Sequence, residues 1–171
     1  MTPTGAHVLV AGLEAAGVEV VFGLPGVHNL AIWDVLRDSP IRLVGVRHEQ
    51  AAVYAADGYA RASGRLGVAL VTTGPGAANT LGATGEAWAS RSAVLVIATD
   101  IPLALRHPGV HRGVLHECTD QGSMFAAVTK QRLVPSSFTE LVVAAYAAPE
   151  IAGAAPSTAT VRVRVRSLMS R

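Results

Sequence analysis

The run Ala93-Val-Leu-Val-Ile-Ala98 constrains the fold more than any other stretch of the chain. An unbroken apolar run has no face to offer water, so a strand here must be covered on both sides. Shorter strand-like runs lie at Val18–Phe22, Ile41–Val46 and Gly67–Val71. Helical patterns fill the intervals. Thr4 can cap a helix to about Ala16, stopped by Gly17, and Asn29 can cap one through Leu36. Glu49 to about Ser63 is a strong helix former ended by Gly64, and Ala77 to Trp88 follows a Gly/Pro loop. Apolar strands alternating with helices predict an α/β architecture with a mostly parallel sheet and helices on both faces.

The second half is less regular. Ile101–Cys118 holds Pro102, Pro108, Gly109 and Gly113 and reads as a long loop, a feature that in compact domains is often functional. Thr119–Phe125 is predicted as a short helix, and Thr139–Ala148 as a helix cut by Pro149. Residues 150–158 are rich in Ala, Pro, Ser and Thr. Val161–Arg166 alternates strictly, as a strand with one apolar and one charged face would.

A length of 171 residues suits one domain, and it can bury a core without disulfides or metals. With half the residues apolar but only 5% aromatic, that core must be aliphatic. A single cysteine, Cys118, excludes an intrachain disulfide framework and a four-thiolate zinc site. The net charge of +2 is a terminal effect: Arg162, Arg164, Arg166 and Arg171 lie in the last ten residues, which hold no acid. Setting those four aside leaves 10 basic against 12 acidic residues, so the body of the domain has no nucleic-acid footprint. No apolar run is long enough to span a membrane, and the N-terminus lacks a secretory pattern. A cytoplasmic domain is expected.

Ligands of open parallel sheets bind beyond the carboxyl ends of the strands. Three predicted strand ends carry unusual residues: Leu24-Pro-Gly-Val-His28, Arg47-His-Glu49, and Thr73-Gly-Pro-Gly76 followed by Asn79. The sheet would bring them to one edge. Glu49 has two readings. An acid in a first helical turn favours the positive end of the helix dipole, and a carboxyl sheltered at the edge can share a proton with a ligand nitrogen. Gly74 and Gly76 either make a tight turn or let backbone approach a flat ligand. A dinucleotide fingerprint is a poor match, because Asn79 replaces the third glycine and the motif follows the third strand. The only lysine, Lys130, excludes a Walker A loop. His28 is either a solvated loop residue or a hydrogen-bonding group at the edge. His107, His111 and His116 match no metal-ligand spacing. Asp57 and Arg61, four apart, predict an ion pair.

Four ordered motifs, Val21-Phe-Gly-Leu-Pro-Gly26, Arg47-His-Glu-Gln50, Ala55-Ala-Asp-Gly-Tyr-Ala-Arg61 and Thr73-Gly-Pro-Gly-Ala-Ala-Asn79, resemble the N-terminal, pyrimidine-binding domain of thiamine-diphosphate-dependent enzymes. Acetolactate synthase and 2-oxo-acid decarboxylases belong to that group. Val27–Leu30 and Leu115–Gln121 are most similar to the guanidino-oxopentanoate decarboxylase and acetolactate-synthase-like branch. The resemblance implies a single flavodoxin-like domain over residues 1–171, with a core at 5–148 and an atypical Arg-rich strand at 159–171. It implies thiamine diphosphate as cofactor. Glu49 would hydrogen-bond the aminopyrimidine ring and favour the tautomer that activates the thiazolium carbon for attack on a small 2-oxo acid. Pro25, Gly26, Gly74, Pro75 and Asn79 would line the pyrimidine pocket, and His28 and Gln121 would face substrate.

The same family binds diphosphate and Mg²⁺ through a separate domain marked by GDG and NN, and this sequence contains neither. A central domain, which in some relatives contributes to FAD binding, is also missing, so FAD would concern only a full-length homologue. The expectation is half of a cofactor site, completed by a homo-oligomer or a separate diphosphate-binding chain. A truncated inert fragment and a non-catalytic binding or regulatory module are the alternatives.

Overall fold

The computed structural model describes residues 3–107, 109–153 and 159–163. The elements in chain order are α1 (Gly5–Ala15), β1 (Val20–Gly23), α2 (Leu30–Arg37), β2 (Arg42–Gly45), α3 (Glu49–Ser63), β3 (Gly67–Val71), α4 (Pro75–Ala78), α5 (Leu81–Ala89), β4 (Val94–Thr99), β5 (Gln131–Leu133), α6 (Phe138–Gly153) and β6 (Ala159–Val163). Two 3₁₀ turns lie at Leu103–Leu105 and Gly122–Phe125. The strands form one parallel sheet in the order β2-β1-β3-β4-β6-β5.

Side-chain alternation along the central strands builds the two cores. Val68 and Leu70 of β3 and Leu95 and Ile97 of β4 face α1, α2 and α6, meeting Leu9, Leu13, Ile32, Leu36, Leu141 and Ala145. Ala69 and Val71 of β3 and Val94, Val96 and Ala98 of β4 face α3 and α5, meeting Ala52, Val53, Ala56, Ala83 and Ala87. All residues of β3 and β4 are buried, as strands covered on both faces require. β2 is partly exposed because it is an edge strand.

The early helix ends follow from local chemistry. Gly64 closes α3 in the left-handed region at φ +70°, and Asp57 pairs with Arg61 through two guanidinium nitrogens. Three expectations change. The helix predicted over 77–88 is two helices, α4 and α5. Thr80 turns its hydroxyl onto the Ala77 carbonyl at 2.7 Å, which competes with the helical bond that carbonyl would otherwise accept. Pro149 lies inside α6 and does not cut it. Proline there cannot donate to the Ala145 carbonyl, and α1 packs directly over that carbonyl. A Cβ on Gly12 would sit 2.5 Å from Ala145 O, so a glycine permits this contact and the helix–helix packing carries α6 through the proline.

The third change is at the far side of the sheet. β5 was not foreseen, and β6 is an interior strand, paired in parallel with β4 (Ala98 opposite Arg162) and with β5 (Leu133 opposite Val161). The predicted split of Val161–Arg166 into an apolar and a charged face concerns side chains outside the described residues, as does the rest of the Arg-rich end. Among the described residues no helix is long and apolar enough to cross a membrane.

Candidate functional site

The strand order places β1 between β2 and β3, so the chain reverses its direction of winding at β1 and opens a crevice at the carboxyl ends there. Each of the three expected loops arrives at that edge with its own brace. After β1, the fully buried Asn29 folds the loop onto itself. Its Oδ1 accepts from Gly26 N at 2.7 Å, and its Nδ2 donates to Leu24 O at 3.0 Å. The side chain thus shapes the Pro25–Gly26 turn and makes no side-chain cap bond to α2.

After β2, α3 starts at Glu49. The N-cap is His48, whose Nδ1 accepts from Gln50 N at 3.2 Å. Glu49 lies in the first turn, so the dipole reading of the sequence also holds. Its position is nonetheless more specific than capping demands. The residue is 8% exposed, and Oε2 accepts from Asn79 Nδ2 at 3.0 Å. Oε1 has no hydrogen-bond partner among the described residues and lies 3.3 Å from the point a Cβ of Gly76 would occupy. The carboxyl is therefore fixed by a neutral amide through one oxygen and presents the other at the Gly74–Gly76 turn.

After β3, Gly74 adopts φ +61°, and Pro75 occupies the first position of α4. The glycines of this edge are required by close protein packing. A Cβ on Gly74 would meet the His116 carbonyl oxygen at 2.5 Å; one on Gly26 would meet Thr72 Oγ1 at 2.7 Å; one on Gly76 would meet Thr72 Cγ2 at 2.6 Å. The turns thus close around Thr72.

Gln121 fixes the third loop from behind. It is 1% exposed, its Oε1 accepts from Gly74 N at 2.6 Å, and its Nε2 donates to Thr99 O at 2.9 Å. Its amide is committed to the backbone on both sides, and it influences the crevice through the position of Gly74. His28 is half-buried and stands edge-on to His116, with ring centroids 6.0 Å apart. Nδ1 of each ring is buried without a hydrogen-bond partner. Burial holds His28 below the ordinary histidine pKa; nearby His116 adds to the shift, and Asp100 opposes it.

The sequence did not single out Thr72 or His116 for this edge. His116 comes from the long loop, which is locked on both flanks. Arg106 Nη2 donates to Asp100 Oδ2 at 2.8 Å, and Glu117 Oε2 accepts from the backbone amides of Arg112 and Val114 at 3.0 and 3.2 Å. Those amides hold the Glu117 carboxyl below the usual carboxylate range. Among the described residues no group of three or more His, Cys, Asp or Glu is placed to hold a metal ion.

Comparison with known proteins gives a consistent answer. Residues 3–124 match the family described as thiamine pyrophosphate enzyme, N-terminal TPP binding domain. A probable 2-ketoarginine decarboxylase of Pseudomonas aeruginosa is 44% identical over 149 residues, covering 85% of this chain and 26% of its own length. A probable acetolactate synthase large subunit of Methanocaldococcus jannaschii is 45% identical over 101 residues, or 59% of this chain and 17% of its own. A catabolic acetolactate synthase of Raoultella terrigena is 38% identical over 149 residues, again 85% of this chain and 26% of its own. The chain thus spans about a quarter or less of the length of these relatives.

Proposed function

The chain belongs to the thiamine pyrophosphate enzymes and carries their N-terminal TPP binding domain, and from that premise we propose that it holds the aminopyrimidine half of thiamine diphosphate in a 2-oxo-acid decarboxylase or acetolactate-synthase-like carboligase. One observation carries the reading: the Glu49 carboxyl is sheltered at the switch-point edge, with Oε2 held by Asn79 and Oε1 unpartnered. A nitrogen heterocycle fits that arrangement. It needs a carboxyl oxygen that can hold a proton against a ring nitrogen, and Oε1 is the atom offered. When bound, the cofactor supplies an electron sink for bond cleavage beside a 2-oxo group.

The remaining roles belong to this chain's residues. Asn79 fixes the rotamer of Glu49 by holding Oε2. Pro25 and Gly26 with Gly74 and Pro75 form the backbone walls, positioned by Asn29 and Gln121. His28, held below the ordinary histidine pKa by burial, borders the place where a 2-oxo acid would sit, and Gln121 acts there through the Gly74 turn. The diphosphate and Mg²⁺ would be held by a separate domain or chain, and FAD would enter only in a full-length relative. Exposed Val27, Leu30 and Leu115 beside the crevice fit a partner surface, whether a second copy or a diphosphate-binding chain. The unpaired Cys118 suits a cytoplasmic setting.

Calorimetric titration of thiamine diphosphate with Mg²⁺ into this chain alone should show weak binding or none. Adding a diphosphate-binding domain taken from an acetolactate synthase should tighten binding and generate 2-oxo-acid turnover. Tight binding by the chain alone, or no gain on adding the second domain, would contradict this division of the site.

A further inference from the structure

Thr72 is the buried side chain at the crevice that the fold leaves unused. It is 7% exposed, yet its Oγ1 has no hydrogen-bond partner among the described residues. Neighbouring buried threonines behave differently. Thr73 Oγ1 meets Thr99 Oγ1 at 3.2 Å, Thr80 donates to Ala77 O at 2.7 Å, and Thr84 donates to Thr80 O at 2.9 Å. A buried hydroxyl without a partner is costly, and valine has the same shape without that cost. Packing alone therefore favours valine at this position.

The surroundings place this side chain at the two glycine turns. Thr72 is wedged between them: a Cβ on Gly26 would meet its Cβ and Oγ1 at 2.7 Å and its Cγ2 at 2.8 Å, and one on Gly76 would meet its Cγ2 at 2.6 Å. Glu49 Oε1 lies 3.3 Å from the same Gly76 position. Two oxygens without partners among the described residues, one hydroxyl and one carboxyl, thus lie at adjoining glycine turns of the same sheet edge.

We propose that Thr72 Oγ1 is a ligand-binding group that makes one hydrogen bond to the edge of the nitrogen heterocycle that Glu49 engages. This rests on the pyrimidine reading of the site. A hydroxyl both donates and accepts, so it serves either a ring nitrogen or an exocyclic amine. Thr72 is a positioning residue: it selects the orientation of a flat amine-bearing ring, and Glu49 handles the proton.

The probe is thiamine diphosphate with Mg²⁺, titrated calorimetrically into the assembly of this chain with the diphosphate-binding domain. Thr72→Val should weaken binding about three- to tenfold, the loss expected for one hydrogen bond, and Thr72→Ser should stay within about twofold. The melting temperature of Thr72→Val should equal or exceed that of the wild type, because no intramolecular bond is lost. Glu49→Gln is the control for the parent reading. If Glu49→Gln loses binding and Thr72→Val does not, the Thr72 assignment falls and the pyrimidine reading stands. Weakened binding with a lowered melting temperature in Thr72→Val would show a packing role and also overturn the assignment. Absence of probe binding by the wild type would overturn the pyrimidine reading and the Thr72 assignment together.

Discussion

Two carboxylates are buried at strand ends on the same edge of this sheet, and they differ in what holds them. Asp100, at the end of β4, has both oxygens engaged: Oδ1 accepts from Ile101 N at 2.9 Å, and Oδ2 from Arg106 at 2.8 Å. Its side chain is fully buried, and the guanidinium neutralises it. Glu49, at the end of β2, is held by a neutral amide on one oxygen and keeps the other without a partner. Burial is common to both. What separates them is the partner: a cation neutralises Asp100, and a neutral amide orients Glu49 through one oxygen only.

The sharpest way to break this contrast is to remove the cation beside Asp100. Arg106→Ala should destabilise the chain by about 3–5 kcal/mol, because it removes the cation that pairs with a buried carboxylate. Urea unfolding measures this, and a loss under about 1 kcal/mol would mean that Asp100 is not structurally committed. Gln121→Leu keeps the volume but strips partners from Gly74 N and Thr99 O, so a loss of about 1–3 kcal/mol is expected. Wild-type stability in that variant would remove the clamp on the Gly74 turn.

The smallest effect concerns pH. His28 titrates below 6.5 in the folded chain, and the unfolded chain takes its proton near 6.5. The unfolded state then binds more protons just below that value, so the His28 contribution to stability is complete above pH 6.5 and is lost as pH falls through the interval down to the folded pKa. The urea midpoint should drop between pH 7.5 and 5.5, and His28→Gln should reduce the drop. An equal drop in both proteins would leave His28 without the assigned role.

The contrast also explains which parts of the molecule were legible in the sequence. Local rules sufficed for α3, where Glu49 and Gly64 mark both ends, and for β3, whose bounds Gly67–Val71 match the expected ones. The convergence of Gly26, Glu49 and Gly74–Asn79 followed from strand–helix alternation alone. Features that depend on distant partners were hidden. Continuation of α6 past Pro149 depends on Gly12 packing over Ala145, and β5 exists because β6 inserts between it and β4. The resemblance implies that Gln121 faces substrate, and only the fold shows that its amide is buried and tied between Gly74 and Thr99. Thr72 sits one residue before a recognised motif, and its hydroxyl lacks a partner among the described residues, which no spacing can reveal.

The central claim is that Glu49 owes its place to proton exchange with a bound heterocycle. Glu49→Gln preserves an oxygen for Asn79, so the fold should lose no more than about 1 kcal/mol. The decisive measurement is hydrogen–deuterium exchange at the thiazolium C2 position of thiamine diphosphate, followed by NMR, in the assembly of this chain with a diphosphate-binding domain. Wild-type chain should accelerate that exchange, and Glu49→Gln should abolish the acceleration. Exchange unchanged by the substitution would contradict the account.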